Sequence, residues 1–100
     1  MAYLGGTLDA TIAAAAGADP LLFSEIRQEF IDSLRRQIDL LRRSRCDGNW
    51  RLAALRLKGL AASFHAEVLL ALAEEALEGA PGDPAVLRRL TQFTDGFAAG

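Results

Sequence analysis

Cysteine, histidine and β-branched residues are scarce in this sequence, and each scarcity excludes something. A single cysteine, Cys46, excludes an internal disulfide, and a single histidine, His65, excludes any mechanism that needs two imidazoles. One residue of each type cannot form a zinc site of cysteines and histidines. Two valines, four isoleucines and one tyrosine are few for 100 residues, whereas alanine and leucine are abundant. This composition disfavours β-strands and favours an all-α fold.

Long apolar runs and familiar catalytic motifs are also missing. No run approaches the ~18–20 apolar residues of a membrane span, so we expect no membrane partner. The apolar start of the chain has no basic residues and contains Asp9, which argues against a signal peptide, and we expect a cytoplasmic protein. No glycine-rich phosphate loop, Ser-His-Asp set or metal-ligand pattern occurs, so we expect neither an enzyme nor a cofactor.

The residues that are present suffice for one folded domain, with an uneven distribution of charge. Apolar residues make up 51% of the chain and charged residues 24%, which predicts a single domain over residues 1–100 with its core in 7–95. The net charge is −2, yet residues 27–58 hold nine Arg or Lys against four Asp or Glu. This basic middle indicates an acidic protein partner or a solvated helix face, and the acidic whole disfavours nucleic acid.

Start and stop signals divide the chain into five helical segments. Asp19-Pro20 and Asp83-Pro84 each combine an N-cap residue with proline at the first helical position. We expect a short helix over 7–16, capped by Thr7 and closed by Gly17, and a long helix from Pro20 to about Arg45. After a turn at 46–48, Asn49 is expected to cap a third helix, a fourth ends at the glycines of 79–82, and the last begins at Pro84 and frays beyond residue 95.

Apolar residues recur at steps of three and four in the longer helices, as in Trp50, Ala53, Leu57 and Ala61. Short connections place consecutive helices antiparallel. The sequence therefore predicts an up-down antiparallel four-helix bundle with a short additional N-terminal helix. Around Phe64, His65 and Ala66 the pattern fits either a kink or a continuous helix.

The stretch from Ala54 to Ala61, Ala-Leu-Arg-Leu-Lys-Gly-Leu-Ala, is similar to the signature of histidine-containing phosphotransfer (HPt) domains, roughly Ala-His-x-Leu-Lys-Gly-x-Ala. The order of the surrounding helices also resembles that family over nearly residues 7–95. The resemblance implies a four-helix bundle that exchanges a phosphoryl group with a receiver domain through an exposed histidine. Here Leu55 stands at that histidine position, so the resemblance implies the bundle and its docking surface without the phospho-acceptor.

A second apolar stripe lies on the third helix, opposite its core-facing residues. Its spacing of three, four and three is that of one helix face, and cations flank it. An apolar centre with a basic rim is a common interface layout, although the first helix could instead cover the stripe, or Leu52 could be an isolated surface leucine. The candidate partner-binding residues are Leu52, Leu55, Gly59 and Ala62 in the stripe and Arg51, Arg56 and Lys58 around it.

Three functional hypotheses remain open. The first is a non-catalytic HPt-like module that docks a receiver domain or a histidine kinase through the third helix. The second is a phosphotransfer protein that uses His65, the only histidine; ten residues after Leu55, however, it lies off the acceptor face and fits a kink or cap with positive φ. The third is a structural homodimer in which two third-helix stripes meet across a two-fold axis.

Overall fold

A computed structural model describes residues 6–100, with side chains described from residue 8 onward. These residues form five helices and no strands, which confirms the all-α prediction. The helices are α1 (Gly6–Ala16), α2 (Pro20–Arg43), α3 (Asp47–Ser63), α4 (Glu67–Glu78) and α5 (Pro84–Ala99).

The two Asp-Pro pairs act as the sequence predicts. The Asp19 carboxylate accepts hydrogen bonds from the backbone N–H groups of Leu21 at 3.0 Å and Leu22 at 3.2 Å. Asp83 accepts from Ala85 N at 3.0 Å. Each bond satisfies a donor that has no partner inside the first helical turn, and proline at the first position is already set to helical φ. These caps determine where α2 and α5 begin.

Three predicted helix ends need correction. The prediction that Asn49 caps α3 was wrong: Cys46 is the N-cap residue, with no side-chain hydrogen bond, and Asn49 lies inside the first turn. Helix α2 ends at Arg43 rather than near Arg45, because Ser44 leaves helical geometry and its hydroxyl donates to Leu40 O. Helix α5 continues to Ala99 instead of fraying after residue 95, since Phe97 is buried.

The first helix matches its predicted extent closely, beginning at Gly6 and ending at Ala16. Gly17 follows with φ +68°, the left-handed conformation that glycine adopts without steric cost. The proposed cap at Thr7 falls outside the described side chains. Leu8 and Ile12 are buried, and α1 packs against α2 alone among the described helices.

Helices α2 to α5 contact one another in a closed ring. Helix α2 packs on α3 and α5, and α4 packs on α3 and α5, while the backbones of the diagonal pairs, α2 with α4 and α3 with α5, do not come close together among the described residues. Contacts between helices show their relative directions. Trp50 in the first turn of α3 donates its indole N–H to Ala76 O near the end of α4 at 2.7 Å, so these two helices run in opposite directions. Arg27 early in α2 contacts Phe97 late in α5, whereas Arg42 late in α2 contacts Thr91 earlier in α5, so these two also run in opposite directions.

Aromatic rings pack inside this ring of helices, where apolar burial stabilises the fold. The Phe30 ring of α2 lies 4.7 Å from that of Phe64, the residue after α3, and 5.8 Å from that of Phe97 in α5. Phe97 also receives the Arg27 guanidinium over its face at 4.3 Å. The same Arg27 forms an ion pair with Asp9 of α1 at 3.1 Å, so one side chain connects three helices.

Candidate functional site

The outer face of α3 carries the apolar stripe that the sequence predicts. Trp50, Ala53, Leu57 and Ala61 are buried against neighbouring helices. With 3.6 residues per turn, residues 52, 55, 59 and 62 must then point the other way. Leu52 is 48% exposed and Leu55 42%, which are high values for leucine in a helix with a full core face.

No other helix among the described residues covers this stripe. The alternative that the first helix packs over it is wrong, because α1 contacts α2 and not α3 in the described part of the chain. Gly59 and Ala62 are also exposed. We use the name α3 stripe for Leu52, Leu55, Gly59 and Ala62.

Gly59 has no packing role in the part of the chain that the structure describes. A Cβ atom added there would meet no atom within 4 Å, apart from its own helix backbone. Glycine inside a helix costs about 1 kcal/mol relative to alanine. No contact of Gly59 among the described residues offsets this cost. Because glycine has no side chain, the surface of α3 is recessed at the middle of the α3 stripe.

The three predicted cations differ in their surroundings. The Lys58 ammonium lies 3.6 Å from a carboxylate oxygen of Glu74 on α4, and both side chains are about half exposed. Neither Arg51 nor Arg56 has a carboxylate within 4 Å among the described residues. Both guanidinium groups are therefore available to carboxylates of a partner protein, whereas the Lys58 ammonium is already paired with Glu74 of its own chain.

A groove beside the α3 stripe involves α2 residues that the sequence reading missed. It has a volume of about 310 Å³. Leu40, 38% exposed, supplies apolar surface from α2 and Leu52 supplies it from α3. Arg43 and Arg56 line it from opposite sides. The available signal was the pair Leu40-Leu41: since Leu41 is fully buried, the residue next to it must point away from the same core contact.

His65 lies beyond the end of α3 and not on the stripe. Its φ is +54°, and it occupies the position after the C-cap residue Phe64. The N–H of Ala66 donates to Ala61 O at 2.8 Å and that of His65 to Ala62 O at 3.3 Å, the two bonds of a Schellman motif. This motif resolves the open question at residues 64–66: α3 ends there, and no continuous helix runs on into α4. It also accounts for the exposed His65 as a helix-ending residue in the left-handed conformation.

Other site types find little support in the part of the chain that is described. No group of three or more His, Cys, Asp or Glu side chains in residues 6–100 is arranged to hold a metal ion. No described helix combines the length and the apolar character needed to cross a membrane. Comparison with models of known families, with curated proteins and with solved structures finds no match to this chain.

Proposed function

We propose that this chain is a non-catalytic HPt-like module that docks a receiver domain or a histidine kinase of a phosphorelay. The proposal treats α2–α5 as an antiparallel four-helix bundle and α1 as the additional N-terminal helix. The closed ring of helix contacts supports this arrangement. A reducing cytoplasm suits the single free cysteine, Cys46, and is the location we propose.

The observation that carries the proposal is the exposed side chain of Leu55 at the centre of the α3 stripe. In the resemblance to HPt domains, this position holds the phospho-acceptor histidine. Leucine has no atom that can accept a phosphoryl group, yet it keeps the position accessible to a partner. Because Leu55 is 42% exposed, burying its exposed part contributes roughly 1 kcal/mol, so the substitution favours docking over chemistry.

The cations around the stripe support an acidic partner. Arg51 and Arg56 have no carboxylate within 4 Å among the described residues, and they lie on the two sides of the α3 stripe, towards α4 and α2 respectively. The active-site face of receiver domains is acidic in the family that the sequence resembles. Charges of opposite sign across an interface accelerate association and select the correct partner.

Binding measurements on the full chain test this function. The immobilised protein is titrated with each purified receiver domain and histidine kinase of its own organism. We expect one of them to bind, and Leu55→Glu to weaken that binding by roughly tenfold or more, because the variant loses the leucine contact and also places a carboxylate in the interface. Leu21→Glu is the matched control, because Leu21 is 67% exposed at the start of α2, away from the α3 stripe.

Charge-reversing variants of Arg51 and Arg56 test the electrostatic contribution to binding separately. Arg51→Glu with Arg56→Glu should slow association and reduce its dependence on salt, whereas Arg88→Glu, an exposed charge on α5, should change neither. Binding that is unaffected by all α3 variants would contradict the assigned surface. Transfer of acid-labile phosphate to the chain, abolished by His65→Ala, would instead support the phosphotransfer hypothesis.

A further inference from the structure

The face formed by α2 and α3 has a second groove, at the opposite end from the one beside Leu52. Leu22, Ile26 and Phe30 of α2 line it together with Leu60 and Phe64, and its volume is about 280 Å³. Glu25 and Glu29 also line it. We call this the acidic groove, and we call the groove between Arg43 and Arg56 the basic groove.

The two grooves are complementary in charge and alike in apolar character. Each has a partly exposed leucine from α2, Leu22 in the acidic groove and Leu40 in the basic groove, at 39% and 38%. Leu22 and Leu40 are 18 residues apart, which is five full turns, so both point to the same side of α2. The acidic and basic grooves therefore open on one continuous face.

We propose that this face binds a second copy of the same chain, with the acidic groove of each copy against the basic groove of the other. A two-fold axis in the plane of the face, perpendicular to the helices, exchanges its two ends. Such an axis brings Glu25 and Glu29 of one copy towards the arginines of its partner at both ends at once. Self-complementary surfaces of this kind define isologous dimers.

The middle of the face permits two copies to approach closely. Gly59 lies on α3 between the residues that line the two grooves, and it presents no side chain to a facing helix. Small residues at a crossing point let helices approach each other closely. A packing role for Gly59 between copies would offset the helix-propensity cost that no contact of the described residues compensates.

The size of the face indicates a weak, concentration-dependent dimer. Two helices side by side, about 30 Å long and about 20 Å wide, offer roughly 600 Å² per copy. The total of about 1,200 Å² is at the low end for specific protein interfaces. Ion pairs within one copy compete only weakly, because the pairs of Glu29 with Arg36 and of Arg43 with Asp39 are largely exposed.

Sedimentation equilibrium of the full chain, without any partner protein, tests the dimer. We expect reversible association between about 10 µM and about 500 µM that weakens as salt is raised. Two double variants reverse the charges, Glu25→Arg with Glu29→Arg for the acids and Arg43→Glu with Arg56→Glu for the arginines. Each should raise the dimer dissociation constant roughly tenfold, because the two-fold axis places every substitution at two positions of the interface. Circular dichroism checks that each variant remains helical.

Recombining the variants provides the decisive control. The two charge-reversed chains should associate with each other when mixed, and one chain that carries all four changes should again form a homodimer. A wild-type protein that stays monomeric over this range, or a fourfold variant that stays monomeric, would overturn the proposal. The dimer and the receiver complex share Leu52 and Arg56, and Glu25→Arg with Glu29→Arg distinguishes them, because this variant alters the dimer interface and leaves the α3 stripe and its arginines unchanged.

Discussion

The ammonium of Lys58 lies 3.6 Å from a carboxylate oxygen of Glu74, so the lysine next to the α3 stripe is paired with α4. In the resemblance to HPt domains, this lysine lies one turn from the phospho-acceptor and faces the phosphoryl group. Here the Lys58 ammonium has a carboxylate partner within its own chain.

Because both side chains are about half exposed, this ion pair should contribute little to folding. We expect Glu74→Gln to change the free energy of unfolding by less than about 0.5 kcal/mol in urea titrations. Glu78→Gln is the control, because Glu78 is an exposed carboxylate on the same helix that forms no ion pair with the described residues. A loss above about 1 kcal/mol for Glu74→Gln alone would show that the pair stabilises α3 against α4.

Two leucines of α3 that are two residues apart should differ in how far substitution by glutamate destabilises the protein. Leu57 has no exposed surface, whereas Leu55 is 42% exposed. Leu57→Glu places a carboxylate in the core and should abolish cooperative unfolding, because an unpaired buried charge is very costly. Leu55→Glu should keep the melting temperature within a few degrees of the wild type. Thermal melts followed by circular dichroism compare the two, and unfolding of Leu55→Glu would contradict the exposed position of Leu55.

The left-handed backbone at His65 predicts an unusual order of stabilities. Glycine adopts φ near +54° without steric cost, and β-branched residues strongly resist it. We expect His65→Gly to equal or exceed the wild type in free energy of unfolding, and His65→Val to lose about 1–2 kcal/mol. Chemical denaturation of the three proteins measures this order. If valine were tolerated as well as glycine, the Schellman motif at the end of α3 would be wrong.

The two N-cap aspartates should each stabilise the protein measurably. Asp19→Ala and Asp83→Ala remove the carboxylates that accept backbone N–H bonds at the starts of α2 and α5. Each should cost about 1 kcal/mol, and asparagine at either position should recover most of that loss. Asp47→Ala is the control, because Asp47 lies inside the first turn of α3 and makes no capping bond. Equal losses at all three positions would indicate a general charge effect with the helix dipole.

Capping and periodicity made much of the fold predictable. The starts of α2 and α5 were exact, because aspartate followed by proline is a local signal. The cap of α3 was misplaced at Asn49, because the helix begins after Cys46 without a side-chain capping bond, so no capping residue in the sequence marks its start. The burial of Phe97 was missed for a different reason: its ring contacts Phe30, 67 residues away in the sequence.

The amino-acid sequence alone determined the number of helices and the presence of an apolar stripe at 52, 55, 59 and 62, because helix caps and helix faces depend on residues within a few turns. Only the tertiary structure determined that no helix in the described part of the chain covers the stripe and that Lys58 pairs with Glu74. It also brought Leu40 and Arg43 beside Leu52 and Arg56 to form the basic groove. These features depend on which helices pack together, and a pattern with a period of 3.6 residues shows where a face points without showing what lies opposite it.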